Sequence, residues 1–115
     1  MLVVDDERAI LTVLGIKLRI SGYDVVTASN GEEALELIKS TRPDIMLLDV
    51  IMPGMDGFEV LQQVRAVSEL PVIVFSAGPE NAQKAFSLGA NDFLPKPLDV
   101  DEMVRRVPGL LAQKS

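Results

Sequence analysis

Short apolar runs alternate along the chain with longer stretches in which apolar residues recur every three or four positions. The runs are Leu2 to Val4, Asp24 to Ala28, Asp44 to Leu48, Pro71 to Phe75 and Asn91 to Leu94, each of a length suited to a buried strand. Between the first two, Leu11, Leu14 and Leu18 keep helical spacing until Ser21-Gly22, which predicts a first helix over about residues 7 to 20. Asn30, with Glu33 three positions on, has the form of a capping box. Ala34, Leu35 and Ile38 then carry the apolar stripe of a second helix until Arg42-Pro43 stops it. Phe58, Leu61 and Val64 mark a third helix, Ala82, Ala85 and Phe86 a fourth, and Asp99 with Glu102 opens a fifth. Such alternation of strand and helix predicts an α/β protein on a five-stranded parallel sheet. Pro108-Gly109 falls inside the fifth helical stretch. Proline there costs about 3 kcal/mol, so the regular helix is expected to end or kink near Val107.

Composition narrows the function more than the fold. At 115 residues and 48% hydrophobic, the chain is expected to form one compact domain over residues 1–115, with no linker, repeat or low-complexity segment. A formal charge of −6 with scattered Lys and Arg argues against direct nucleic-acid binding, which normally needs a basic face. Cysteine and histidine are both absent, which excludes disulfides, thiolate chemistry and the usual ligands of zinc or copper. Any metal must be held by oxygen. No apolar run approaches the ~20 residues of a membrane span, and Met1-Leu-Val-Val lacks the form of a signal peptide. A soluble cytoplasmic domain without membrane contact is expected.

The chemistry-bearing residues cluster where predicted strands end. Asp5 and Asp6 follow the first strand, Asp49 closes the third, Ser76 follows the fourth and Lys96 follows the fifth. In an open parallel sheet, ligands bind beyond the carboxyl ends of the strands. Two carboxylates about 4 Å apart repel by roughly 4 kcal/mol at an effective dielectric of 20, so three gathered together call for a cation. Mg²⁺ suits a small all-oxygen site, and Lys96 would neutralise the remaining charge. A carboxylate nucleophile at Asp49 then suffices for phosphoryl transfer, which is mostly positioning and charge stabilisation. Each residue also has a plainer use: Asp5 or Asp6 as a helix N-cap, Asp49 as a turn former before Pro53-Gly54, Lys96 as a solvated loop lysine and Ser76 as an ordinary strand-end hydroxyl.

Leu2-Val-Val-Asp-Asp-Glu, Asp49-Val-Ile-Met-Pro-Gly-Met-Asp-Gly, Phe75-Ser-Ala, Gly89-Ala-Asn-Asp-Phe and Lys96-Pro97 resemble, in this order and spacing, the receiver domain of two-component response regulators. The resemblance covers nearly the whole chain. It implies a doubly wound, flavodoxin-like sheet of order 2-1-3-4-5 with helices on both faces. It also implies Asp49 as phosphoacceptor, and Mg²⁺ held by Asp6 directly, by Asp5 largely through water, by Asp49 and by the backbone carbonyl of Ile51. By the same resemblance Lys96 pairs with the phosphoryl group through a cis Lys96-Pro97 peptide, Ser76 donates its hydroxyl, and Phe93 turns inward as the second switch residue. Because the chain has no histidine, the phosphohistidine donor must be a sensor histidine kinase or a phosphotransfer protein. Phosphorylation would change the surface near helix four, strand five and helix five. That change would control an output domain or protein, or a homodimer. The chain's catalysis would be limited to its own phosphorylation and dephosphorylation.

Three departures from the receiver pattern stand out. The segment from Ser76 to Gly89 is a couple of residues short, and Pro79 is expected to begin a trimmed fourth helix. By the resemblance, Pro108 falls on the face that family members use to dimerise or signal. Met1 falls inside the first strand, as in a trimmed fragment. By the same resemblance, the side chains two positions after the phosphoacceptor and two after the switch hydroxyl influence hydrolysis; here these are Ile51 and Gly78, which carry no group to orient water, so slow self-dephosphorylation is expected. A haloacid-dehalogenase-type phosphatase would want an acid where Ile51 stands. A flavin binder would not place Asp5-Asp6-Glu7 against a phosphate. A docking module that is never phosphorylated would not need the full acid set and Lys96.

Overall fold

The computed structural model describes residues 1–52 and 55–113. Five strands, β1 (Leu2–Val4), β2 (Val26–Ala28), β3 (Met46–Asp49), β4 (Val72–Ser76) and β5 (Asp92–Pro95), form one parallel sheet of order 2-1-3-4-5. Five helices connect and follow them: α1 (Arg8–Ile20), α2 (Gly31–Thr41), α3 (Gly57–Val67), α4 (Asn81–Ser87) and α5 (Val100–Gln113). Every residue of β1, β3 and β4 is buried. That explains why these strands read as continuous apolar runs: a parallel sheet is covered on both faces.

Successive side chains on a strand point to opposite faces, and two separate cores result. Leu2, Val4, Met46, Leu48, Val72 and Val74 pack with Ala34 and Ile38 of α2, Phe58, Leu61 and Val64 of α3 and Ala85 of α4. Val3, Leu47, Ile73 and Phe75 pack on the other face with Leu11, Leu14 and Leu18 of α1 and Met103, Val107 and Leu110 of α5. The predicted capping box is present in its first half, since the Asn30 side chain accepts the Glu33 N–H at 2.9 Å. Arg42 closes α2 in the left-handed region, with φ 47, directly before Pro43.

Several expectations are corrected. The strands after the first begin and mostly end one or two residues later than the apolar runs suggest, so Ser76 is the last residue of β4, paired with Pro95, rather than its follower. A two-residue antiparallel ribbon, Ile51–Met52 with Met55–Asp56, was not expected. Pro53 and Gly54, read as turn formers, lie outside the described residues. Pro79 does not open the fourth helix. It sits in a turn held by Asn81 N–H to Gly78 O at 3.0 Å and Ala82 N–H to Pro79 O at 3.2 Å, and α4 is only seven residues long. Phe86, counted with the apolar positions of that helix, is 49% exposed. Nor does the fifth helix end at Val107: it continues through Pro108 to Gln113. Met103, Val107 and Leu110 lie on one buried face, and anchoring on both sides of Pro108 outweighs the lost backbone hydrogen bond. Among the described residues, no helix is long and apolar enough to cross a membrane.

Candidate functional site

The order 2-1-3-4-5 brings the carboxyl ends of β1, β3, β4 and β5 side by side. Asp5 directly follows β1 and stays locked to the sheet through its N–H to Ala28 O, at 3.1 Å. Its Oδ1 accepts the Glu7 N–H at 2.9 Å, so it shapes the entry to α1, although the N-cap itself is Glu7. The plain capping role therefore accounts for one carboxylate oxygen only. Asp5 is completely buried, and its Oδ2 has no hydrogen-bond partner among the described residues. Burial, the Asp49 charge and a hydrogen bond that the protonated Asp5 carboxyl donates to Asp6 push the Asp5 carboxyl up to about 6, against the Glu7 N–H and the Lys96 charge.

Asp49 ends β3 almost fully buried, and Lys96 Nζ donates to its Oδ2 at 2.9 Å. The same ammonium lies 3.6 Å from Asp5 Oδ2 and 3.6 Å from Glu7 Oε1, with the Phe75 ring centroid 5.5 Å away. Burial lowers the Lys96 pKa, but the hydrogen bond and charge of Asp49, with the charges of Asp5 and Glu7, more than reverse this and leave it raised. The Lys96–Pro97 peptide is cis. Asp5, Asp6 and Asp49 each bring a carboxylate oxygen within 4.8 Å of the others. One lysine cannot balance three carboxylates. The Asp5 Oδ2, buried with no hydrogen-bond donor among the described residues and only a 3.6 Å ion pair to Lys96, together with the raised Asp5 pKa, fits a site for a hard divalent cation such as Mg²⁺.

Ser76 is fully buried, and its Oγ accepts the Gly78 N–H at 3.2 Å and Asn81 Nδ2 at 2.9 Å. Phe93 lies opposite Val74 in register and packs, half-buried, against the core beneath α2, α3 and α4. The fold thus brings Asp5, Asp6, Asp49 and Lys96 into one cluster, with Ser76 ending the neighbouring strand. Ile51 belongs to the ribbon that follows Asp49.

Two residues at this edge escaped the sequence reading. Gly57, the first residue of α3, donates its N–H to Val50 O at 3.0 Å, and a Cβ there would lie 2.3 Å from Val50 Cα and 2.7 Å from Asp49 O. Only glycine lets α3 start this close to the Asp49 backbone. Asn81 falls within the stretch expected to form the fourth helix from Pro79, yet its amide reaches Ser76. Gly57 was visible as the glycine after Asp56, while nothing in the spacing marked Asn81.

Residues 1–108 match the family model of the response regulator receiver domain. The chain belongs to this receiver family. It is 44% identical over 114 residues to Response regulator MprA of Mycolicibacterium vanbaalenii, covering 96% of this chain and 49% of that protein. It is 43% identical over 114 residues to the alkaline phosphatase synthesis transcriptional regulatory protein PhoP of Bacillus subtilis, covering 96% and 48%. This receiver chain thus spans about half the length of the curated relatives it matches. Among solved structures, it resembles the receiver domain of the Francisella response regulator 1452 with a TM-score of 0.92 at 34% identity, covering 99% of this chain and 97% of that one. It also resembles the response regulator TrrA of Thermotoga maritima, solved in complex with Mg²⁺-BeF, with a TM-score of 0.86 at 35% identity and coverage of 95% and 96%.

Proposed function

We propose that residues 1–115 act as a single receiver unit in which Asp49 takes a phosphoryl group from a phosphohistidine on a sensor histidine kinase or phosphotransfer protein. The Asp49 carboxylate forms a new P–O bond as the P–N bond to the donor imidazole breaks, and the released imidazole takes up a proton. Asp5, Asp6, Asp49 and the backbone carbonyl of Ile51 would hold Mg²⁺, which when bound screens the carboxylates from one another and from the incoming phosphoryl oxygens. Lys96 moves with the negative charge: its ammonium, now on Asp49, is placed to follow it onto the phosphoryl oxygens. Ser76 donates its hydroxyl to one of those oxygens, and Phe93 repacks inward behind it. An apolar hollow beside Lys96, lined by Ile10, Val13 and Leu98, with Val13 and Ile16 of α1 half exposed, gives a partner helix a footing next to Asp49.

The phosphoryl group adds roughly −1.5 to −2 charge at the sheet edge, which shifts the receiver between two packings of the α4, β5 and α5 surface. An output domain in the remaining length of the regulator, a separate partner or a second copy of the chain reads that surface. The chain's chemistry is confined to its own phosphorylation and dephosphorylation, and it works in the cytoplasm. The observation that carries this reading is the buried Asp49 carboxylate, held at 2.9 Å by Lys96 within a three-carboxylate cluster. Incubation with acetyl phosphate and Mg²⁺ should add one phosphoryl mass to the wild type and none to Asp49→Asn. A wild-type mass that does not change overturns the proposal.

A further inference from the structure

Resting on the role proposed for Ser76, the geometry points to Asn81 as a positioning residue that presets the Ser76 hydroxyl as a hydrogen-bond donor to the phosphoryl group. A serine hydroxyl has one O–H and two acceptor lone pairs. At Ser76 both acceptor directions are engaged: Gly78 N–H approaches Oγ at 3.2 Å and Asn81 Nδ2 at 2.9 Å. Ser76 is fully buried, so bulk water does not compete for these positions. The O–H is the hydroxyl's remaining hydrogen-bonding capacity, and it must point away from the loop formed by residues 78–81. A phosphoryl oxygen can only accept. A hydroxyl whose lone pairs are already occupied meets it in the correct polarity, with no rotamer search at the moment of transfer.

Gly78 is part of the same device. A Cβ built on it would lie 3.0 Å from Asn81 Nδ2 and 2.5 Å from Glu80 Oε1. The missing side chain at position 78 leaves room for the carboxamide of Asn81, the first residue of α4, to reach back to the strand end. The bond also ties the switch hydroxyl to α4, so any movement of Ser76 toward Asp49 pulls on the start of that helix. This gives the short segment between Ser76 and Gly89 a local link in place of the longer loop expected there.

The test is a double-mutant cycle on the rate of phosphorylation by acetyl phosphate with saturating Mg²⁺. Asn81→Ala should slow the reaction about three- to tenfold, the range of one ordinary net hydrogen bond. Asn81→Asp keeps the shape but carries only acceptors, so it captures the Ser76 proton for itself and should slow the reaction further. Gly78→Ala, which crowds the carboxamide, should behave like Asn81→Ala. In a Ser76→Ala background the effect of Asn81→Ala should shrink to within about twofold, the scatter expected of independent sites. Equal slowing with and without the Ser76→Ala substitution would show that Asn81 only supports the loop and would overturn the inference, as would a wild-type rate in Asn81→Ala. If the wild type takes up no phosphoryl group, the assignment of Asp49 fails and this inference with it. If labelling depends on Asp49 but the cycle is additive, only the role of Asn81 fails.

Discussion

Asp5→Asn should make the metal-free protein more stable at pH 7, although it removes a buried residue hydrogen-bonded to the backbone. Asp5 is pushed from 3.8 to about 6 in the folded protein, chiefly by burial. At about 1.36 kcal/mol per pKa unit, holding it ionised above pH 6 costs the fold about 3 kcal/mol. Asparagine keeps the acceptor for the Glu7 N–H, removes repulsion from Asp49 and loses attraction to Lys96. It also adds a buried amide that costs about 1 kcal/mol if poorly bonded, so the net gain should be about 1–2 kcal/mol. The pH dependence has a defined sign. Between pH 3.8 and about 6 the folded state binds more protons at Asp5 than the unfolded state does. Wild-type stability relative to the variant therefore falls as pH rises through that window, and the difference is constant above it. Urea unfolding followed by circular dichroism in EDTA, from pH 4 to 7, measures both effects, and at pH 7 the midpoint should rise by about 0.5–1 M. Saturating Mg²⁺ should stabilise the wild type more than the variant and narrow or reverse the order. A variant less stable than wild type at pH 7 in EDTA, or a difference that does not change from pH 4 to 7, would refute the view that Asp5 is held ionised at the expense of the fold.

Four further substitutions probe other parts of the structure. Gly57→Ala would place a methyl 2.3 Å from Val50 Cα. It should destabilise the protein by about 1–3 kcal/mol and slow phosphorylation by displacing the Asp49 backbone, both measurable on one preparation. Arg65 donates to Gly89 O at 2.9 Å, Leu70 O at 2.7 Å, Ser68 O at 3.3 Å and Asn91 Oδ1 at 2.8 Å. Arg65→Ala should cost about 1–3 kcal/mol in urea unfolding, mainly through the part-buried Ser68 and Leu70 carbonyls, since Asn91 Oδ1 keeps the Val72 N–H. Pro108→Ala should stabilise α5 by about 1–3 kcal/mol by restoring a backbone donor, and an unchanged thermal midpoint would contradict this. Ile51→Asn should hasten decay of the phosphorylated protein, and equal or slower decay would count against the slow self-dephosphorylation expected from Ile51 and Gly78.

Legibility in the sequence followed the range of the interaction. Leu2 to Val4, Asp44 to Leu48 and Pro71 to Phe75 announce buried strands because each residue's burial is a local consequence of lying between two helical layers. Asp5, Asp6, Asp49 and Lys96 were visible as a group because strand ends of a parallel sheet share one edge. Asn81 and Arg65 were not visible. Each acts through a side chain reaching a different element, and neither its type nor its spacing distinguishes such a contact from a solvated one. Of the two outcomes expected at Pro108, an end or a kink near Val107, the end does not occur, for a related reason: the local cost of proline could be counted, whereas the anchoring of Met103, Val107 and Leu110 depends on the sheet beneath. The ribbon at Ile51–Met52 has too few residues for any periodicity to show.

The site draws Asp5 and Asp6, Asp49, Ser76 and Lys96 from four strand ends spread from one end of the chain to the other, and adjacent strands meet only through long crossovers. Such non-local pairings are slow to form, because loop-closure entropy is lost before their contacts are gained. In a clipped or partly unfolded chain, Asp49 without β1 and β5 lacks both its acidic partners and its lysine, so the phosphoacceptor role proposed for it would be lost with the fold. On the role proposed for Asp49, competence to take up the phosphoryl group and completeness of the fold would be one property.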